Sequence, residues 1–246
     1  MSPMTSRRRA RLVLALALVA AVGCRSTGRP AAPPLEPAEL AAAAAALGGG
    51  TGTDVSALYR LRVPRASGLR ATLRTLGPAG RLTVSEPFGA AVSLIAWEES
   101  GRGDILDLKE GCRVPDVDLA AVLGVGRLPL DPMLRLLVGR LPAADDDRVT
   151  VGPGHLRVEG FAWQAMVHVA RDPWRVTRVE SFGDGRLGVW RIELGEHHGA
   201  VPGVIRIDRE DGSWARLELL RLALGPGREL PAPPDLPDCR LEGEPS

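Results

Sequence analysis

The chain has 246 residues and a formal net charge of +1, with 31 basic and 30 acidic side chains. Removal of the first 23 residues would take away four arginines and no acid, which leaves a net charge of −3. A nearly neutral mature chain without a basic block argues against nucleic acid as a partner.

The first 23 residues have the pattern of a secretory signal peptide. A basic start is followed by an apolar run from Leu12 to Val22, and small residues precede Cys24. This run is too short for a membrane-spanning helix, which needs about 20 apolar residues. We therefore predict a signal peptide at 1–23, and the alternative is an uncleaved anchor helix.

The segment from Leu18 to Cys24 resembles the lipobox of bacterial lipoproteins. In that family the chain is cut before the cysteine, whose thiol is diacylated and whose new amine is usually acylated too. The resemblance implies that Cys24 anchors the protein to a membrane, since two or more acyl chains hold stably. Arg25 and Ser26 differ from the aspartate that retains lipoproteins in the inner membrane. The implied location is the outer membrane, facing the periplasm.

Composition predicts the domain organisation of the mature chain. Residues 24–52 comprise the lipidated end and a tether rich in Pro, Ala, Ser and Gly. A short helix from Ala38 to Leu47 either docks on the domain or belongs to the tether, and we favour docking. The folded domain is predicted at 53–224, followed by an irregular, proline-rich tail at 225–246.

Most of the domain is predicted to form short antiparallel strands. Apolar and polar residues alternate from Ala57 onwards, with turn residues between the alternating segments, which is typical of strands with one buried face. About ten or eleven strands are predicted. A change of apolar phase between Leu219 and Leu220 predicts a β-bulge in the last strand.

A helical insert interrupts the strands between Asp116 and Pro142. One helix is predicted from a cap at Asp116 to Gly124. A second helix is predicted to begin at Asp131 and Pro132 and to be ended by Gly139 and Pro142. Its apolar face consists of Met133, Leu134, Leu137, Val138 and Leu141. The predicted fold is therefore an all-β sheet or barrel with a helical plug.

Short motifs add a family resemblance. Pro87-Phe88-Gly89 precedes an alternating strand, and the insert contains Leu123-Gly124, Leu128-Pro129-Leu130 and Gly139-Arg140. Together with the order of elements, these motifs resemble LolB-like outer-membrane lipoproteins of the LolA/LolB superfamily of lipoprotein localisation factors. The resemblance implies an unclosed antiparallel β-barrel whose helices cover an apolar cavity for acyl chains. LolB also has a protruding loop with an exposed leucine, which Arg65–Gly68 and Gly77–Gly80 lack.

We expect the early strands and the insert helices to enclose this cavity, with Gly124 and Gly139 as hinges. The predicted lining is Tyr59, Leu61, Leu82, Val84, Val92, Leu94, Leu134, Leu137 and Val138. The expected function is binding of acyl chains or of a lipoprotein, in lipoprotein localisation to the outer membrane. The alternative is a structural or interaction lipoprotein of the same fold, with a filled core and an envelope protein as partner.

No motif predicts catalysis, and we expect neither an enzyme nor a cofactor. The serines lack a nucleophile elbow. Glu196-His197-His198 and Asp145–Asp147 invite comparison with metal sites, but adjacent strand residues point to opposite faces and the aspartate run lacks the spacing of a calcium loop. We interpret both as solvated turns and predict no metal site. The five tryptophans fit either core packing or a cavity wall.

Cys112 and Cys239 remain once Cys24 is acylated. An exported chain meets oxidising conditions, so we predict a disulfide between them. The alternative is two free thiols.

Overall fold

The computed structural model describes residues 34–48, 54–64, 66–98, 102–118, 130–160, 163–181, 190–209, 212–226 and 229–239. Contacts divide the chain into two units, Met1–Pro34 and Leu35–Ser246, and the architecture below is that of the second. The signal peptide, Cys24 and Gly124 lie outside the described residues. In the part that is described, no helix has the length and apolar character needed to span a membrane.

The second unit is mainly β. Its helices are α1 (Pro37–Leu47) and α2 (Leu130–Leu137). Its strands are β1 (Val55–Val63), β2 (Ala66–Leu76), β3 (Ala79–Ser85), β4 (Ala91–Trp97), β5 (Arg102–Asp107), β6 (Cys112–Asp118), β7 (Arg148–Gly152), β8 (His155–Glu159), β9 (Gln164–Ala170), β10 (Arg175–Ser181), β11 (Trp190–Gly195), β12 (Val204–Arg209) and β13 (Trp214–Leu224).

All thirteen described strands belong to one antiparallel sheet. Its order is β6-β5-β4-β3-β2-β1-β13-β12-β11-β10-β9-β8-β7, so the first and last strands of the chain pair in the middle. β6 and β7 are the two outermost of the described strands, and the sheet is not closed. The prediction of a mainly-β, unclosed antiparallel fold with a helical insert is confirmed. The strand number exceeds the predicted ten or eleven, and β6 is a strand that the sequence did not predict.

The helical insert connects the two edges of the sheet. The chain leaves the sheet at the end of β6 and re-enters it at β7, on the opposite edge. Two predicted details of the insert are wrong: Asp116 lies in β6 and does not cap a helix, and Val138 lies in a turn after α2. The rest of the first predicted insert helix, 119–124, lies outside the described residues.

Two hydrophobic clusters cover one face of the sheet. The first contains residues of β8 to β12 together with Leu40, Leu47 and Leu136 from the helices. The second contains residues of β1, β2 and β4 together with Leu130. Met133, Leu137 and Leu217 pack against both clusters. The helix α2 therefore lies against both halves of this face, which we call the inner face.

The helix α1 docks on the first cluster. Leu40 and Ala43 have no exposed surface, and Leu47 is 3% exposed. The helix is otherwise almost entirely alanine, so these three positions supply its packing face. Docking, which the sequence left as one of two alternatives, is what the structure shows.

The predicted bulge in β13 is present. Leu58 pairs with Arg221 and Tyr59 pairs with Leu219, so Leu220 has no partner in β1. The extra residue turns Leu219 to the inner face beside Tyr59, while Leu220 remains exposed.

Residues 229–239 of the C-terminal tail run along the opposite, outer face. Arg113 and Asp238 form a parallel bridge, in which the Arg113 amide donates to Pro237 O and the Cys239 amide donates to Arg113 O. The structure contains a disulfide between Cys112 and Cys239, whose Cα atoms are 4.9 Å apart. A groove of about 390 Å³ lies between this segment and outer-face residues of β2, β3 and β4.

Candidate functional site

The register of β1 to β4 decides which side chains share the inner face. Directly paired residues on neighbouring strands point to the same side. Leu82 pairs with Leu73 on one side and with Ile95 on the other, and Leu73 pairs with Ala57. A second row joins Tyr59, Ala71, Val84 and Ser93. These two rows form the inner face of the first half of the sheet.

Most of the predicted lining residues lie on this face. Tyr59 is a buried member of the second cluster, and five other predicted residues pack against that cluster: Leu61, Leu82, Leu134, Leu137 and Val138. Val84 lies on the same face through its pairing with Ala71 and is half-buried. The structure thus places these residues together, while ligand binding itself stays a prediction.

One predicted lining residue lies elsewhere. Leu94 pairs with Thr83 and Leu106, in the register of the outer face, and lines the groove under the C-terminal tail. The assignment of Leu94 to the cavity was wrong, because β4 is apolar in both phases. Val92 stands where the pairing between β3 and β4 shifts and has no partner in β3, so its place in the lining stays a prediction.

The inner face also contains residues that are absent from the predicted lining. In β4 and β5 they are Ile95, Trp97 and Ile105, and in the insert they are Leu130 and Met133. Ile95 and Trp97 form the inward phase of β4, opposite to that of Leu94. Gly80, the partner of Trp97 in β3, leaves room for its ring, since an added Cβ there would lie 2.2 Å from it.

Both halves of the inner face combine buried and half-exposed apolar side chains. In the second half, Leu156, Val158, Ala165, Val167 and Val179 have no exposed surface. At its edge, however, Val149 and Val151, which pair with Val158 and Leu156, are 37% and 43% exposed. In the first half, the half-buried apolar side chains are Leu61, Leu82, Val84 and Ile105, and Val114 is 44% exposed. The half-exposed apolar surface of β1 to β6 therefore includes three of the predicted lining residues.

The tryptophans divide between several environments. Trp97 belongs to the second cluster, while Trp163 and Trp190 are buried in the first, where Trp174 packs against them. Trp214 is 36% exposed at the start of β13. Core packing therefore accounts for most of the tryptophans, and Trp97 is the one on the half-covered face.

Two buried polar atoms of the second cluster have no hydrogen-bond partner in the described part of the chain: Tyr59 Oη and Trp97 Nε1. Tyr59 is only 1% exposed, and burial raises the pKa of its hydroxyl far above the usual range. Leaving a buried hydroxyl unpaired costs about 1–3 kcal/mol. Its neighbours along and across the strands are apolar: Ala57, Leu61, Ala71 and Leu219.

The helix α2 is held by a buried arginine. Arg135 is 7% exposed, and its Nε donates to Asp131 Oδ2 at 2.7 Å, one turn earlier in the helix. Its guanidinium also lies 3.4 Å from Asp145 Oδ1 in the loop that follows. These contacts tie the helix to the loop leading to β7. Asp145 lies in an exposed turn, as the sequence predicts, and the structure adds its contact with Arg135.

A large apolar side chain is exposed at the turn between β3 and β4. Phe88 is 99% exposed, and the turn is closed by two backbone hydrogen bonds, from the Glu86 amide to Ala90 O and from the Gly89 amide to Glu86 O. The two turns considered in the sequence lack such a residue, but this third turn has one. The sequence analysis used Pro87-Phe88-Gly89 as a family motif and did not predict the exposure of Phe88.

The histidine and aspartate motifs have structural partners. His197 Nε2 contacts Val176 O at 2.8 Å, and His198 lies in a backbone bridge with Val201. Asp147 Oδ2 accepts from the Ala144 amide at 2.7 Å. Within the described ranges, no group of three or more His, Cys, Asp or Glu side chains is placed to hold a metal ion.

Comparisons with known proteins give little beyond this geometry. No protein-family model matches the chain, and no curated protein matches it. One solved structure with some similarity is a provisionally named outer-membrane lipoprotein-sorting protein domain from Vibrio parahaemolyticus. The two share 11% identity with a TM-score of 0.38, over 78% of this chain and 93% of that one. The fold therefore rests on the strand pairing described above.

Proposed function

We propose that this protein is a lipid-anchored component of a bacterial envelope that binds acyl chains, free or attached to a lipoprotein, on the inner face of β1 to β6. The proposal includes membership of the LolA/LolB superfamily, anchoring through an acylated Cys24 in the outer membrane, and a carrier role in lipoprotein localisation without catalysis.

One observation carries this proposal. The inner face of β1 to β6 leaves apolar side chains half-exposed beside α2, among them the predicted lining residues Leu61, Leu82 and Val84. Monomeric proteins seldom expose contiguous apolar surface unless it serves binding. Each methylene of a chain that moves from water onto such a face gains about 0.8 kcal/mol, so a long acyl chain could be held by its hydrocarbon alone.

The buried core of the second half favours a second function. Five of its apolar side chains have no exposed surface, as a structural lipoprotein with a filled core requires. In that alternative, the half-exposed surface of β1 to β6 contacts an envelope protein. The same fold thus supports both functions. They differ in whether an acyl chain or an envelope protein covers the inner face of β1 to β6.

A pair of variants in β3 tests the carrier function. Leu82 and Thr83 are neighbours that point to opposite faces, and both are half-buried. We expect Leu82→Glu to reduce binding of a fluorescent fatty-acid probe at least tenfold, because it places a charge on the apolar face. Thr83→Glu, the matched control on the outer face, should bind as the wild type does.

Probe fluorescence measures binding, and circular dichroism checks that both variants fold. If the wild type never binds the probe, the carrier function is wrong and the structural alternative stands. Equal binding by both variants would place the ligand elsewhere on the protein.

A further inference from the structure

The only tyrosine of the chain lies at one of its most buried positions. Tyr59 is in β1, next to the centre of the sheet, and its ring projects from the inner face. The hydroxyl is buried without a hydrogen-bond partner among the described residues. Phenylalanine would fill the same space without that penalty, so the hydroxyl calls for an explanation other than packing.

The surroundings of Tyr59 define what could pair with it. Its four neighbours on the inner face, Ala57, Leu61, Ala71 and Leu219, contribute only apolar atoms. Since burial favours the neutral phenol, the hydroxyl can donate a hydrogen bond at any physiological pH. A bound molecule with an oxygen acceptor at this depth would supply the missing partner.

We propose that the Tyr59 hydroxyl donates a hydrogen bond to the carbonyl oxygen of an ester-linked acyl chain bound on the inner face of β1 to β6. This inference rests on the proposed function and adds the chemical class of the ligand. The hydrocarbon would cover the half-exposed apolar side chains, and the ester group would lie at Tyr59.

A neutral ester fits this position better than the carboxylate of a free fatty acid. Burying a carboxylate among apolar side chains requires a paired cation. The buried cation of the insert, Arg135, already contacts Asp131 and Asp145. An ester carbonyl accepts a hydrogen bond without bringing a charge, so the site should favour esterified chains over free acids.

Two ligands that differ only at the carbonyl groups test the inference. Dioctanoylglycerol carries two ester carbonyls, and its dioctyl diether analogue has chains of the same length without them. Each would compete with a fluorescent apolar probe for the full-length protein. We expect the wild type to prefer the ester about tenfold, the size of effect expected for one desolvated hydrogen bond.

Tyr59→Phe should remove that preference and leave the affinity for the diether unchanged. Leu61→Met, which alters the same face without touching a polar group, should preserve the preference. The melting temperature of ligand-free Tyr59→Phe should equal or exceed that of the wild type, since the variant lacks an unpaired buried hydroxyl. A lower melting temperature would show a structural partner for the hydroxyl and overturn the inference.

The remaining outcomes distinguish a failure of the proposed function from a failure of the proposed role of Tyr59. If the wild type binds neither glyceride, the proposed function fails. If it binds both equally, or if Tyr59→Phe retains the preference for the ester, the role of Tyr59 is wrong while acyl binding stands. A synthetic triacylated cysteine peptide, tested in the same way, distinguishes a lipoprotein from a free glyceride as the source of the ester.

Discussion

Gly139, just after α2, contacts Ala200 in the turn between β11 and β12. Adding a single methyl group at Gly139 tests that contact. Gly139 has a φ of +76°, and its amide donates to Leu136 O at 3.0 Å. A Cβ at this position would lie 2.2 Å from Ala200 O and 2.5 Å from Ala200 C. Both atoms belong to the backbone, so no side-chain rotation can relieve the overlap.

The expected loss of stability for Gly139→Ala has two parts. Alanine in the left-handed region costs about 1–2 kcal/mol. Forcing a methyl group into a packed contact costs about 1–3 kcal/mol more. The sum of about 2–5 kcal/mol corresponds to a fall in melting temperature of roughly 10 °C, at about 2–4 °C per kcal/mol for a unit of this size.

Gly154 provides the matched control. It has the same φ of +76°, but nothing lies within 4 Å of an added Cβ. Gly154→Ala should therefore lose only the conformational part, about 1–2 kcal/mol. Thermal and urea unfolding followed by circular dichroism measures both variants. Equal losses would refute the tight contact between Gly139 and Ala200, and would leave room for Gly139 as the hinge that the sequence predicts.

Two further predictions concern the anchor and the response to pH. Replacing Cys24 with alanine should move the protein from the membrane fraction to the soluble fraction, and a variant that stays in the membrane would show an anchor elsewhere. Burial lowers the pKa of His197, whose Nε2 bonds Val176 O. The unfolded chain therefore binds the proton more readily below about pH 6.5, and stability should fall as pH drops through that value. His197→Gln should lose less stability between pH 7 and pH 5.5, and parallel unfolding curves would contradict this.

The sequence predicted the class of fold because the alternation in most strands is clean. In β1, Tyr59 and Leu61 alternate with Arg60 and Arg62, and the register confirms that the two pairs lie on opposite faces. The bulge at Leu220 was predictable for the same reason, since the apolar phase changes there. The alternation of apolar and polar residues identifies the buried face of a strand when its other face is exposed to solvent.

The pairing of β1 with β13 could not be predicted in this way. Periodicity reports which face of a strand is buried, but it carries no information on its neighbours. Nor did the pattern show that the insert joins opposite edges of the sheet. This connection becomes visible only when the strand order places β6 and β7 at opposite ends of the sheet.

The inward-facing residues were predicted correctly in β1 and β3, but Leu94 of β4 was assigned to the wrong face, for a physical reason. The sequence of β4 is apolar in both phases: Leu94 and Ala96 point one way, while Ile95 and Trp97 point the other. Strands covered on both faces lose their alternation, so periodicity alone cannot choose between the two sets. The prediction took the phase that contains Leu94, which faces away from the insert.

The C-terminal tail covers the outer face of β4. The two cysteines are the feature of the sequence that indicates this arrangement. A bond from Cys239 to Cys112 places the end of the tail beside β6, two strands from β4 in the sheet order. Leu230 and Pro231, a few residues earlier, then line the groove beside Leu94 on the outer face. A charge at position 94 would consequently disturb the tail and not the inner face. Leu82, which lies on the inner face, is therefore the position that tests the proposed acyl binding, and Leu94 is not.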